Sequence, residues 1–311
     1  MSVHWDATQA QAVLEVVASL RQGQAVENGA WEHLLTNKVQ VRLRRRELEV
    51  GGDFRDDNFL RFVLSQELSE RYEALSQALV GWLRLDLAAC AQRALAYLPA
   101  NCRIQVPCCP VIKPLSNSFV YGIPESPVVF LWLDPGLNIE KLENTLVHEL
   151  HHIGFYGLVA RRAAPAEPAG LIQWLWPFGE GLAMLAAAGS TDIHPHATSS
   201  PSAREHWDQD MRTLPESLAS IDEFFRLILS RSLPESEIER RAMSLFGFQG
   251  PWYTVGYHMA STIERHQSRA SLLDCMTEPR RLILRYEQIG LAHPRWSPEV
   301  IAALSQAALR P

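Results

Sequence analysis

The chain has 311 residues, 47% of them hydrophobic and 21% charged, with a formal net charge of -6 and a pI near 6.0. That length allows one large domain or two of ordinary size with a proper core. The acidic balance and the lack of a long basic run argue against nucleic-acid binding. No apolar run approaches the ~20 residues that a bilayer-spanning helix needs, and MSVHWDATQAQAVLEVV has no basic region ahead of an apolar block. Neither a membrane partner nor a signal peptide is therefore expected. The five cysteines, Cys90, Cys102, Cys108, Cys109 and Cys275, are odd in number and form no CxxC pair, which predicts a reduced, cytoplasmic protein. No sequence feature specifies an oligomeric state.

Residues 1 to 100 read as helices. QAVLEVVASL has helical apolar spacing and stops at Arg21-Gln22-Gly23. Asp56 to about Arg84 reads as a long amphipathic run, with Glu67, Glu70 and Glu73 on a solvated face. LDLAACAQRALAYL continues as a helix that Pro99 ends, and no residue in this third has an evident chemical role. The character changes at Asn101. CRIQVPCCPVIKP, SNSFVYGIP and SPVVFLWLDPG are short, β-branched and punctuated by turn residues, so two or three strands are expected, Val128 to Leu133 the clearest.

Asp134-Pro135-Gly136 then turns the chain and Asn138 can cap a helix from about Ile139 to Leu158. Its residues Leu142, Leu146, Leu150 and Ile153 fall within an arc of roughly 80° at ~100° per residue. His148-Glu149-Leu150-His151-His152 lies on the same helix. Residues four apart share a face, so His148 and His152 can reach one metal ion away from the apolar arc. Glu149 then stands beside the position where a metal-bound water would sit, and His151 points elsewhere as a bystander.

RRAAPAEPAG, 161 to 170, is expected to be a loop. LIQWLWPFGEGLAMLAAAG follows as one or two buried helices broken at Pro177 and Gly179. Glu180 is a lone carboxylate in this apolar stretch, costly unless paired or bound to metal, and is taken as the third ligand. His194 with His196, Asp192 and Glu167 are weaker candidates, the first three in a polar surface loop from Ser190 to Trp207. ESLASIDEFFRLILSRS, SEIERRAMSLFGF and WYTVGYHMASTIERH after Gly250-Pro251 are again helical. On the last, Tyr253, Gly256, Tyr257, Ala260 and Glu264 share a face, two phenols beside small residues that something could approach closely. RLILRYEQIG and PEVIAALSQAAL read as packing helices. The whole predicts a mainly α chain with a small β-sheet (α+β), residues 1–100 a helical region and 101–311 the region carrying the chemistry, packed as one compact unit.

VHELHH, GEGLA and YTVGYHMASTIE together resemble the gluzincin branch of zinc metallopeptidases, and more narrowly uncharacterised bacterial families of zinc-dependent proteases. The likeness covers about Phe119 to His266 in three islands. It implies a zincin-like fold in which a short mixed sheet precedes the active-site helix. It also implies Zn2+ held by His148, His152 and Glu180, Glu149 as general base, and Tyr253 or Tyr257 stabilising the oxyanion. The implied reaction is hydrolysis of a peptide or protein substrate through a metal-activated water, with Val128 to Leu133 available as an edge strand for the extended substrate. Leu158 stands where a metzincin needs its third histidine. Met184 stands where thermolysin-like enzymes have a histidine-orienting aspartate, so that partner must come from elsewhere. A zinc hydrolase of non-peptide amides or esters, and a helical scaffold that keeps the motif without turnover, are the competing readings.

Overall fold

A computed structural model describes residues 2–160, 170–290 and 295–306. The contacts divide the chain into two compact units, Met1–Ala91 with Ile104–Thr145, and Gln92–Arg103 with Leu146–Pro311.

The first unit holds β1 (Ser2–Trp5), α1 (Thr8–Arg21), α2 (Asn28–Thr36), α3 (Lys38–Glu49), α4 (Asp56–Val63), α5 (Gln66–Glu70) and α6 (Tyr72–Trp82). After α7 (Leu87–Leu95) come β2 (Gln105–Val111), β3 (Phe119–Tyr121) and β4 (Val128–Trp132). The strands form one mixed sheet in the order β1-β2-β4-β3. β1 and β4 both run parallel to β2, Ser2 opposite Gln105 and Cys108 opposite Val129, while β3 is antiparallel to β4.

Two expectations change here. Asp56 to Arg84 is three helices, because the Ser65 hydroxyl accepts from the Leu68 backbone N–H and starts a new cap, a local bond that competes with helix continuation. Val128 to Leu133 is no edge strand: β4 lies between β2 and β3. Its residues Val128 to Leu131 are all buried, and an unbroken apolar run is what a strand covered on both faces requires. β1 was not foreseen. Glu67, Glu70 and Glu73 are exposed as expected.

Two polar ties hold this unit. The buried Gln9 amide donates to Gln40 Oε1 and to the Ile112 carbonyl, 3.0 Å each, and accepts from the Ile112 N–H at 3.0 Å. Lys113 and Glu47 form an ion pair at 3.2 Å with both side chains fully buried, and Lys113 also donates to Asn117.

The second unit is helical. It contains the Leu146–Ala160 part of α8 (Ile139–Ala160), a 3-10 segment (Ile172–Phe178), α9 (Gly179–Ala188), α10 (Pro201–Arg212), α11 (Leu214–Leu229) and α12 (Glu235–Ser244). α13 (Pro251–His266), α14 (Arg269–Cys275), α15 (Arg280–Ile289) and α16 (Pro298–Gln306) complete it. Its core is an aromatic cluster, with Phe178 on Trp252 at 5.1 Å and Phe225 on Trp296 at 5.6 Å between ring centroids.

The stretch from Ser190 to Trp207 is no simple surface loop. Ser200 caps α10, accepting from the Ala203 N–H, with Pro201 in the first turn where its missing N–H costs nothing. His196 and Trp207 are buried against each other. The architecture is mainly α with a small mixed sheet, an α+β fold. Among the described residues no helix is long and apolar enough to cross a membrane, and the five cysteines are thiols.

Candidate metal centre

The Asn138 side chain accepts from the Lys141 N–H at 2.7 Å and starts α8. Leu142, Leu146, Leu150 and Ile153 are buried, so the apolar stripe fixes which face of the helix turns inward. His148 and His152 lie off that stripe, one turn apart. The close crossing of α9 and α13 positions the third group. A Cβ on Gly181 would lie 2.1 Å from the Tyr257 backbone nitrogen, and one on Gly256 2.8 Å from the Phe178 carbonyl oxygen. Only hydrogen fits at both points, so the two backbones touch there and Glu180 is carried in beside Tyr253. The small face noted on α13 therefore receives α9.

His148 Nε2 and His152 Nε2 are 3.0 Å apart, and Glu180 Oε2 is 3.3 Å from the first and 3.1 Å from the second. Ligands at ~2.0–2.1 Å from a tetrahedral zinc stand about 3.3–3.4 Å from each other. The three atoms thus already form one face of such a tetrahedron, within a few tenths of an ångström. The donor set, two imidazoles and a carboxylate, is one that zinc accepts while keeping a fourth position open.

The local field agrees. Burial raises the Tyr156 and Tyr253 phenols above their ordinary range, and the charges of Glu180 and Glu149 raise them further. Two half-buried phenols that both sense negative charge mark a place where a cation is stabilised. Burial opposes the charge on Glu180, yet the two imidazoles beside it outweigh that and hold the carboxyl well below the usual range. Burial likewise pulls His152 down, and Glu180 more than restores it.

Ligand histidines are normally oriented by a hydrogen bond to the other ring nitrogen. His152 Nδ1 is buried with no such partner among the described residues. Rings do the orienting here: Tyr156 stacks on His152 at 5.3 Å and 23°, and Tyr253 on His148 at 6.5 Å and 8°.

Of the other residues singled out in the sequence, Glu149 is buried on the ligand helix, its charge felt by His152, Tyr156 and Tyr253. Tyr253 stands close enough to Glu180 for that carboxylate to raise its phenol. Tyr257 packs instead against Trp207, ring centroids 5.4 Å apart. His194 is committed to Asp208 at 2.9 Å and His196 to Ser199 at 3.0 Å, and Asp192 is exposed. Glu167 and the loop 161–169 lie outside the described residues.

Three neighbours of the ligand cluster make contacts that the sequence did not announce. Tyr156 lies one helical turn after His152 on the same face, and that spacing was its only signal. His151 points away from the ligand cluster and is fully buried, with Nε2 3.2 Å from the Tyr97 carbonyl oxygen. Tyr97 belongs to the third of the chain in which no chemical role was expected.

A family model matches residues 32–292, a span that takes in HELHH, GEGLA and YTVGYHMASTIE. No curated protein and no solved structure matches the chain. A match across so much of its length shows that the protein belongs to the family described as "Putative zinc dependent peptidase (DUF5700)".

Proposed function

We propose that the protein is a zinc metallopeptidase of the gluzincin ligand type, with His148, His152 and Glu180 holding Zn2+ and Glu149 serving as general base toward a peptide or protein substrate. The observation that carries this reading is the convergence of the three ligand atoms at 3.0–3.3 Å, with Glu149 on the same helix. Zinc bound there supplies Lewis acidity, making water acidic near neutral pH and polarising a carbonyl.

The remaining chemistry belongs to the chain. Glu149 accepts a proton from the attacking water as the oxygen–carbon bond forms. It returns that proton to the nitrogen as the carbon–nitrogen bond breaks, a role typically worth about 10²–10⁴ in rate. In this reading the Tyr253 hydroxyl donates to the carbonyl oxygen as negative charge builds. Tyr257 packs its ring against Trp207, and this reading gives the oxyanion role to Tyr253. The buried apolar packing of α8, α9 and α13 holds these groups in place without rearrangement.

The test is elemental analysis together with hydrolysis of a mixed peptide library followed by mass spectrometry. The parent should carry one zinc per chain and cleave peptides. Glu180→Ala should lose zinc, and Glu149→Gln should keep zinc and lose cleavage. A parent free of metal at stringent purity, or an active Glu149→Gln variant, would overturn the reading.

A further inference from the structure

The apolar stripe of α8 decides which side of the helix faces the core but only loosely decides its rotation, since leucine contacts have no direction. The ligands need much more. An Nε2 atom about 6 Å from a helix axis travels roughly 1 Å for every 10° of rotation, while metal–ligand bonds hold to about ±0.2 Å. Something directional has to set the angle.

His151, immediately before His152, lies off both the apolar stripe and the ligand pair, yet it is fully buried against the Tyr97 segment. A carbonyl can only accept, so the 3.2 Å contact with the Tyr97 oxygen requires His151 Nε2 to carry the proton and donate. Tyr97 is itself held at its ring and at its hydroxyl. The Arg269 guanidinium lies over its ring, 4.1 Å from the centroid, and Arg269 Nη2 donates to its hydroxyl at 2.6 Å. Arg269 Nε in turn donates to Glu264 at 2.8 Å. Glu264 is on α13, the helix that also carries Tyr253.

The neighbouring residues of the Tyr97 segment tie down as well. Arg93 donates to the Ala187 carbonyl at the end of α9 at 2.9 Å. Leu98 fills the space over Gly154 of α8, where a Cβ would lie 2.3 Å from Leu98 Cδ1. One short segment thus touches all three helices that supply the site.

We infer that His151 is a positioning residue for the metal centre, its hydrogen bond to the Tyr97 carbonyl setting the rotation of α8 and the Arg269–Glu264 pair holding Tyr97 in register with α13. The inference rests on the reading above that His148, His152 and Glu180 bind the metal. It makes zinc affinity depend on atoms that no metal touches, as outer hydrogen bonds do at metal sites generally.

The experiment measures zinc dissociation constants of the full chain by chelator competition, alongside the melting temperature of each metal-free protein. His151→Leu should weaken zinc about 10- to 100-fold. His151→Gln, whose amide N–H reaches about as far as histidine Nε2, should restore most of that loss. Arg269→Leu should weaken zinc in the same direction by less. If the leucine variant does not fold, His151→Asn, too short to reach the carbonyl, replaces it against glutamine. Parent-like affinity in the leucine or asparagine variant would overturn the inference. So would an equal loss in the glutamine variant that follows its melting temperature, since that is what a merely structural role gives. A Glu180→Ala protein that still binds zinc as the parent does would instead sink the ligand assignment, whatever the His151 variants do.

Discussion

Replacing Gly181 with alanine places a methyl carbon 2.1 Å from the Tyr257 backbone nitrogen and 2.3 Å from the Gly256 carbonyl carbon. Both are backbone atoms and cannot swing aside, so α9 and α13 must separate. Reaching an ordinary contact of about 3.5 Å takes roughly 1.4 Å of movement. Overpacking of this kind costs about 1–3 kcal/mol, and a rigid backbone contact belongs at the upper end. Alanine returns about 1 kcal/mol of helix propensity, leaving about 2 kcal/mol of destabilisation and a fall in Tm of roughly 4–8 °C for a unit of this size.

The consequence for the site is larger. Glu180 adjoins Gly181, and metal–oxygen bonds tolerate only about ±0.2 Å, so zinc binding should fail even where the fold survives. The assay pairs calorimetry with zinc stoichiometry. Gly157→Ala on α8 is the control: its Cβ meets nothing within 4 Å, so it should be neutral or slightly stabilising. A Gly181→Ala protein with the parent's Tm and zinc content would refute the argument that this crossing delivers Glu180.

Tyr253→Phe should keep zinc and lower peptide hydrolysis about 10²–10³-fold, as loss of an oxyanion donor does; a change under twofold would remove the residue from the chemistry. Glu47→Leu takes the counter-charge from the fully buried Lys113 ammonium, leaving it the Asn117 side chain, and should cost about 3–5 kcal/mol in urea unfolding. Glu47→Leu with Lys113→Met should recover most of that, and a double variant no better than the single would show the pair to be more than mutual compensation. Burial, then the nearby Arg265 charge, holds His258 down at about 4 against an ordinary 6.5, and its ring pairs with the Tyr286 hydroxyl at 3.1 Å. A histidine that binds its proton less readily when folded supplies stability above about pH 6.5, which is lost as pH falls toward 4. His258→Gln should flatten that part of the pH dependence of unfolding, and parallel curves for the two proteins would count against it.

What could be read in the sequence followed the cost of a residue in its place. His148, His152 and Glu149 were legible because helical spacing alone puts them on adjoining faces. Glu180 was legible because a charge among Phe178, Leu182 and Met184 needs a partner. The groups that hold these residues carry no such mark. Gly181 and Gly256 act by what they lack, and two glycines some 75 positions apart announce nothing until α9 and α13 are seen crossing. Tyr97 acts through its carbonyl, which every residue has.

His151 shows what helical spacing leaves out. It faces neither the apolar stripe nor the ligand pair, yet it is fully buried. A buried imidazole there must find a partner, and the partner lies 54 positions back in the chain. The same limit hid β1, four residues whose pairing strand follows about a hundred positions later. A histidine that shares neither the apolar stripe nor the ligand pair of a buried helix is therefore read as a demand for a distant acceptor. The direction that acceptor imposes is what an apolar stripe cannot supply.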